Sequence, residues 1–287
     1  MNAVHRILSA IFDVLLMPLE RMGDLAALVL TSGVFGIIAL LIFKQISWQA
    51  GIKAAKNKIK GHMIAIRLYQ DDLAIVFKSV LMVLLRNFQY LGLNFGPILP
   101  LFLPFVLIAS QLVVRYGFDP LEVSDPATVQ ELLPGRGSTL ELHMKSAQAA
   151  EVGGLTVELP PHLVALSPLA RNARDGIAVL EFAAIAEGTG DILFLVNGSP
   201  VGTKSVTAGK VPERKMQPER VSSFLSSWLW PAEPTFPSDS PIDSVSFEYP
   251  ARDFGFLPGG PGGVLLIFFL ASILFGVAIL KPLNIQI

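Results

Sequence analysis

Residues 25–43 read LAALVLTSGVFGIIALLIF, an apolar stretch without a single charged side chain. As a helix it would measure about 28 Å, close to the thickness of the hydrocarbon core of a bilayer. The composition of the whole chain is likewise apolar. Of its 287 residues 52% are hydrophobic and 16% charged, and the mean hydropathy is +0.57. Soluble domains have about a quarter of their residues charged, so the composition predicts an integral membrane protein.

Two further stretches qualify as membrane spans. Residues 91–114 read LGLNFGPILPLFLPFVLIASQLVV, and residues 264–280 read VLLIFFLASILFGVAIL. Pro97, Pro100 and Pro104 interrupt the first of them. Because a proline in a membrane helix requires neighbouring groups to satisfy the freed backbone carbonyls, we expect this span to be kinked and packed against protein.

The orientation follows from the basic residues of the segment 44–90. It carries eight of them against two aspartates: Lys44, Lys53, Lys56, Lys58, Lys60, Arg67, Lys78 and Arg86. Short basic loops stay cytoplasmic, so residues 115–263 and the N-terminus are predicted outside and the tail 281–287 inside. The outer segment holds 18 Asp and Glu against 11 Lys and Arg. Its size and the absence of cysteine favour a bacterial inner membrane.

Residues 1–24 are predicted to form an amphipathic helix that lies in the membrane interface. Their apolar residues fall on one helical face: Val4, Ile7, Leu8, Ile11, Phe12, Leu15, Leu16 and Leu19. A cleaved signal peptide is the alternative. Asp13 interrupts the apolar region and no small-residue cleavage site follows, which disfavours that alternative.

The cytoplasmic segment 44–90 is predicted to form a helical hairpin. Apolar residues recur at helical spacing on both sides of Gln70-Asp71-Asp72, and one of the two aspartates is placed to cap the second helix. The apolar stripe of the second helix comprises Leu73, Val76, Val80, Leu84 and Phe88. The first helix also carries a basic arm, defined by Lys53, Lys56, Lys60 and Arg67. These residues form either a solvated face that sets the topology, or a surface for acidic lipid head groups, a ribosome or a nascent chain.

The outer segment changes to short apolar runs separated by turn residues, and the run that ends at Val196 is followed by the hairpin turn Asn197-Gly198. The pattern predicts a β-sandwich-like domain. Six strands are expected: 140–144, 155–159, 162–166, 177–183, 192–196 and 245–249. Trp228 and Trp230 are candidate contact residues, either at the level of the lipid head groups or for a partner. Packing into the core of the sandwich is the alternative.

No motif in the chain indicates an enzyme, and we expect no cofactor. Cysteine is absent, and the sequence contains neither G-x-S-x-G nor H-E-x-x-H. Glu141 and His143 could share one face of a strand, but a single pair is weak support for a metal site. The net charge of −1 disfavours nucleic acid as a direct partner.

The order of elements resembles the YidC/Oxa/Alb insertase superfamily, in particular its three-span branch, which includes the core insertase subunit of the endoplasmic reticulum membrane complex. Three features carry the resemblance: residues 11–19 (IFDVLLMPL) before the first span, residues 43–47 (FKQIS) after it, and the basic arm. The similarity covers residues 1–114 and 264–281. It is one of topology, with weak local sequence similarity.

The resemblance implies a polar groove between three spans, open to the cytoplasm and to lipid, that receives nascent membrane proteins. Its candidate residues here are Lys44 at the cytoplasmic mouth, Asn94, Ser110 and Gln111. Thr31, Ser32 and Ser272 are further polar residues of the spans, although small polar residues also serve simple helix packing. The basic arm would help to receive the client.

A second function class fits the same sequence. The chain could be a structural or assembly subunit of an envelope complex, with the outer β-domain bound to a partner and the hairpin coupled to other subunits. An insertase requires a hydrated cavity at Asn94, Gln111 and Lys44, whereas a scaffold requires tightly packed spans and an outer contact surface around Trp228 and Trp230.

Overall fold

A computed structural model describes residues 2–125, 137–211, 215–280 and 282. Six α-helices lie in this part of the chain: α1 Asn2–Glu20, α2 Asp24–Ile46, α3 Gln49–Leu68, α4 Leu73–Phe95, α5 Ile98–Tyr116 and α6 Gly260–Leu280. Three helical stretches within it are long and apolar enough to cross a membrane: α2, the continuous segment Leu73–Tyr116 formed by α4 and α5, and α6. This arrangement is consistent with an integral membrane protein that carries a separate β-domain.

The chain divides into two compact units. The helical unit comprises residues 29–106 and 267–287, and the β unit comprises residues 1–28 and 107–266. Within the helical unit, α3 and α4 pack side by side as the predicted hairpin. Asp72 caps α4, because its Oδ1 accepts hydrogen bonds from the backbone N–H groups of Ala74 (3.0 Å) and Ile75 (3.2 Å). The predicted cap is therefore confirmed.

In the second helix of the hairpin, α4, the buried face differs from the one that the apolar periodicity predicts. Leu73 and Phe88 belong to the predicted apolar stripe, yet they are 81% and 68% exposed. The buried position of α4 is Ser79. Because α4 is apolar around most of its circumference, the pattern does not single out one packing face, and a small residue allows the closest approach of the two helices.

The predicted kinked span differs in detail from the observed helices. The helical conformation is interrupted by a turn at Gly96 and Pro97. The start of the predicted span therefore belongs to α4, and the rest of it forms α5. Pro97 precedes α5 and Pro100 lies in its first turn, where a backbone N–H has no partner within the helix. Pro104 is the proline inside α5. The first of the prolines thus marks a helix boundary.

The β unit contains two antiparallel sheets. The six-stranded sheet has the order β3-β5-β1-β9-β8, with β4 also paired to β5, and the three-stranded sheet has the order β2-β6-β7. The bounds are β1 Ser138–Met144, β2 Leu155–Glu158, β3 Leu163–Ala165, β4 Ala170–Asn172, β5 Ile177–Ala184, β6 Gly188–Val196, β7 Ser199–Ala208, β8 Glu219–Val221 and β9 Ile242–Ser246. Two 3₁₀ segments, Ser146–Gly154 and Ser226–Trp228, also lie in the described part of the unit.

The turn between β6 and β7 has the predicted conformation. Asn197 and Gly198 both have positive φ angles, 51° and 80°, as a two-residue hairpin turn requires. Strand β7 was not predicted, because Pro200, Gly202 and Lys204 interrupt its apolar pattern. The short strands β4 and β8 were also missed, since three residues are too few for a periodic signal.

A buried lysine lies in the core of the β unit. Lys204 is fully buried, and its ammonium group contacts the carboxylate of Glu233. It also donates to the carbonyl oxygens of Gln217 and Ser205 (2.6 and 3.1 Å) and lies 4.9 Å from the ring centre of Phe247. Burial lowers the pKa of Lys204, and the charge and hydrogen bond of Glu233 partly offset this effect.

Candidate functional site

An apolar cavity of about 400 Å³ lies within the helical unit, between α2, the α4–α5 segment and α6. We call it the span cavity. Its walls are mostly aliphatic and aromatic, and Phe35, Phe105 and Ile273 are among them. The polar side chains that line it are those of Asn94 and Ser272. Its volume lies within the range of small-molecule pockets and is sufficient for several apolar side chains.

The wall formed by α2 and α6 depends on glycine. A Cβ atom at Gly36 would overlap the backbone carbonyl oxygen of Ser272, and one at Gly33 would lie 2.6 Å from the ring of Phe275. The two helix backbones therefore approach each other as closely as the absence of a side chain allows, which is how small residues pack membrane helices.

A cluster of three phenyl rings joins this wall to α5. The ring centres of Phe35 and Phe268 lie 5.3 Å apart, and those of Phe105 and Phe268 lie 4.9 Å apart. Both pairs are tilted, and tilted pairs at these separations attract each other beyond the area that they bury. Phe35 and Phe105 also line the span cavity, so the cluster holds its shape.

Asn94 is the distinctive polar group of the span cavity. Its Nδ2 donates to the carbonyl oxygen of Tyr90 (2.8 Å), one helical turn earlier. Its Oδ1 is buried and has no hydrogen-bond partner among the residues that the structure describes. A buried carbonyl without a donor is unfavourable by about 1–3 kcal/mol, and this one belongs to a residue that lines the cavity.

The four predicted groove residues occupy two different environments. Asn94 lines the span cavity, and Lys44 is exposed near the end of α2. Ser110 and Gln111 are buried in the β unit, where Ser110 donates to the carbonyl oxygen of Leu107 (3.0 Å). Of the four residues, Asn94 alone is placed at the cavity, and the cavity is mostly apolar, whereas the resemblance implies a polar groove. Ser272, the other polar residue at the cavity, donates to Phe269 in its own helix (2.9 Å).

Gln111 takes part in a polar contact between α1 and the last turns of α5. Its Nε2 donates to the hydroxyl of Ser9 (3.0 Å). Four residues later, Arg115 forms an ion pair with Asp13 (2.7 Å) and donates to the carbonyl oxygen of Ser9 (3.2 Å). Lys215 adds a second ion pair to Asp13 (3.1 Å). This cluster connects α1 to α5 and to the β unit.

The charge of Asp13 is stabilised by this cluster. Partial burial alone would raise the pKa of Asp13, but the hydrogen bonds and charges of Arg115 and Lys215 outweigh it, and the pKa lies below its ordinary value. From the sequence, Asp13 was recognised only as an interruption of an apolar region. Its partners are about 100 and 200 residues away along the chain, so no local pattern could have identified them.

The basic arm is only partly solvent-facing. Lys53, Lys60 and Arg67 are exposed on α3. Lys56 is half-buried, and its Nζ lies 5.7 Å from the ring centre of Tyr90 on α4, so this residue contributes to packing within the hairpin. The exposed apolar residues of α4 are a feature that the sequence analysis did not identify, and they include Phe77 at 74% and Leu84 at 56%.

The two outer tryptophans have different environments. Trp230 donates to Glu219 (3.0 Å), and its ring centre lies 6.4 Å from that of Phe118. Trp228 contacts Phe224 edge-on, with ring centres 5.6 Å apart. Leu225, three residues earlier, is 73% exposed. Trp230 thus contacts the interior of the β unit, whereas Trp228 belongs to an exposed apolar turn.

Glu141 and His143, the two residues weighed as possible metal ligands, are in contact. His143 Nε2 lies 2.8 Å from a carboxylate oxygen of Glu141. Within the described ranges, no group of three or more histidine and acidic side chains is arranged to hold a metal ion.

Comparisons with protein-family models, with curated proteins and with solved structures find no match. The function is therefore inferred from the residues and contacts of this chain.

Proposed function

We propose that this protein is an insertase-like membrane protein whose span cavity receives apolar segments of other membrane proteins. The observation that carries the proposal is the cavity itself. Helices of membrane-spanning length form its walls, its lining is mostly apolar, and one lining residue, Asn94, has a buried amide oxygen without a donor among the described residues. A scaffold subunit with fully packed spans would have no need of such a space.

The chemistry of the cavity suits a client segment that passes between water and lipid. Apolar side chains that enter it leave water, which is favourable by about 25 cal/mol per Å² of buried apolar surface. A polar group that crosses hydrocarbon is opposed by several kcal/mol unless it finds a partner. A rotation of the Asn94 side chain toward the cavity would let its Oδ1 accept a hydrogen bond from a backbone N–H or a polar side chain of the client.

The hairpin supports the same proposal. In the proposed orientation it lies in the cytoplasm, where newly made chains arrive. The apolar residues on α4, with Phe77 and Leu84 exposed, provide a surface for apolar segments. The exposed residues of the basic arm, Lys53, Lys60 and Arg67, provide positive charge on the neighbouring helix.

The proposal is tested by filling the span cavity. Ile273 lines it, whereas Leu270, on the same helix, does not, and the two side chains are 45% and 56% exposed. Purified Ile273→Trp and Leu270→Trp variants are reconstituted in liposomes, and insertion of a newly synthesised single-span protein is followed by protease protection. We expect Ile273→Trp to lower the insertion rate severalfold and Leu270→Trp to leave it near that of the unmodified chain.

The alternative function predicts a different result. If the protein is a structural subunit of an envelope complex, liposomes that contain it insert the client no faster than empty liposomes. In that case both tryptophan variants are equivalent, and the insertase proposal is wrong.

A further inference from the structure

An exposed apolar turn in the β unit has no role in the proposed insertase. Residues 224–229, which we call the apolar turn, surround the 3₁₀ segment Ser226–Trp228. Phe224, Leu225 and Leu229 are 48%, 73% and 57% exposed. The sequence has no charged residue between Arg220 and Glu233. Three neighbouring large side chains in a charge-free segment form an apolar surface that favours a nonaqueous partner.

Contacts within the β unit place the base of this turn beside the end of a membrane-length helix. The backbone N–H of Met216, just before strand β8, donates to the carbonyl oxygen of Val114 in the last turn of α5 (2.8 Å). On the other side of the turn, the ring of Trp230 contacts Phe118, two residues beyond the end of α5. Both ends of the segment that carries the apolar turn are therefore held near the end of α5.

The ends of the other two membrane-length helices meet at the same place. Arg252 pairs with Asp24, the first residue of α2, and with Asp119, three residues beyond α5, each at 2.8 Å. The carbonyl oxygen of Arg252 accepts a hydrogen bond from Gly260, the first residue of α6 (2.8 Å). This arginine marks the level at which all three apolar helices begin or end.

A second exposed aromatic residue lies at this level. Phe256 is 90% exposed and precedes α6 by four residues, so chain length alone keeps it within about 14 Å of the helix start. Exposed aromatic and aliphatic side chains at the ends of membrane spans are typical of protein segments that enter the head-group region.

We propose that the apolar turn inserts its side chains into the boundary between the head groups and acyl chains of the lipid bilayer, on the side where α5 ends. A lipid surface is favoured over a protein partner because the turn is held at the ends of the spans. The absence of charge in the segment removes the main cost of its entry into the interface. The contact would anchor the β unit to the membrane at a point outside the three spans.

The absence of cysteine allows a direct measurement of depth. Single Leu225→Cys and Leu229→Cys variants of the full chain carry a nitroxide label and are reconstituted in phosphatidylcholine–phosphatidylglycerol liposomes. Power-saturation spectroscopy then compares the collision of each label with oxygen, which enters lipid, and with a water-soluble nickel chelate. Phe256→Cys is the interfacial reference. Asp175→Cys, in an exposed turn between β4 and β5, is the aqueous reference.

We expect the ratio of oxygen to nickel accessibility at both leucine positions to exceed that at residue 175 severalfold and to approach that at residue 256. A ratio equal to that of residue 175 would overturn the proposal, because it places the turn in water. Labels that neither reagent reaches would also overturn it, since they indicate burial against protein. Because the two leucines are exposed, both variants should fold, and gel filtration checks this.

Discussion

The two units differ in the surroundings of their buried polar groups. In the β unit, the fully buried Lys204 has a carboxylate and two carbonyl oxygens as partners, and the buried Gln111 is hydrogen-bonded to Ser9. In the helical unit, Asn94 leaves a buried oxygen without a partner, beside a cavity, and α4 exposes large apolar side chains. Both units also contain buried polar atoms without a partner among the described residues, Arg115 Nε and His162 Nε2 in the β unit among them, but Asn94 belongs to a residue set that lines an apolar cavity between membrane-length helices. This difference assigns the proposed client contact to the helical unit.

The largest effect is expected from breaking the satisfied pair in the β unit. Lys204→Met leaves the carboxylate of Glu233 without its cation at a buried position, which destabilises by about 3–5 kcal/mol. Thermal unfolding of the purified protein in detergent, followed by circular dichroism, measures the loss. Lys210→Met is the matched control, because Lys210 is an exposed lysine of the same unit. Equal melting temperatures for the two variants would show that the buried pair is not a source of stability.

In the helical unit, the addition of a single methyl group should disrupt the close packing of α2 against α6. Gly36→Ala forces the new Cβ against the backbone oxygen of Ser272, which cannot rotate away, and overpacking of this kind destabilises by about 1–3 kcal/mol. Gly92→Ala meets no atom within 4 Å and is expected to be neutral or slightly stabilising, since alanine favours helix. The melting temperatures of both variants test this contact, and a tolerated Gly36→Ala would contradict the observed packing.

The sequence predicted the helical elements more completely than their contacts. Hydropathy located the three apolar helices, and Asp72 and Asn197-Gly198 were identified because caps and tight turns depend on adjacent residues. The packing face of α4 was not predicted, since an evenly apolar helix has no distinctive face. For the candidate site, Asn94 was identified from its position in a span. Asn94 and Gln111 lie in different environments because different helices pack against them, and no local sequence pattern encodes that packing.

An intermediate effect is expected at the contact between α1 and α5. Asp13→Asn removes both ion pairs and should destabilise by about 1–2 kcal/mol at pH 7. Because the pKa of Asp13 is lower in the folded protein than its ordinary value of 3.8, the unfolded state takes up its proton first as the pH falls. The stabilisation is thus complete well above pH 4 and is lost as the pH falls through the lowered pKa.

Melting temperatures between pH 7 and pH 3 test this linkage. The difference between the unmodified chain and Asp13→Asn should be constant at neutral pH and shrink toward pH 3. Asp239→Asn, at an exposed position of the same unit, is the control. A difference that is independent of pH would mean that the charge of Asp13 does not contribute.

The smallest effect on stability, and the most informative one for function, is expected at the unsatisfied amide. Asn94→Leu removes a buried oxygen without a partner, so stability should change by no more than about 1 kcal/mol. Asn87→Leu is a close control, because Asn87 lies on the same helix, donates to its own backbone (2.9 Å) in the same way, and is exposed. We expect Asn94→Leu alone to slow client insertion in liposomes. Equal rates for the two variants would remove Asn94 from the mechanism.

The central claim, that the span cavity receives client segments, is tested most directly by crosslinking. A photoreactive phenylalanine replaces Ile273, which lines the cavity, or Leu270, which lies outside it on the same helix. Both variants are illuminated in membranes during synthesis of labelled membrane proteins. The proposal predicts short-lived crosslinks to many newly made membrane proteins from position 273 and several times fewer from position 270. Equal labelling from both positions, or crosslinks from position 273 to one stable protein only, would contradict it.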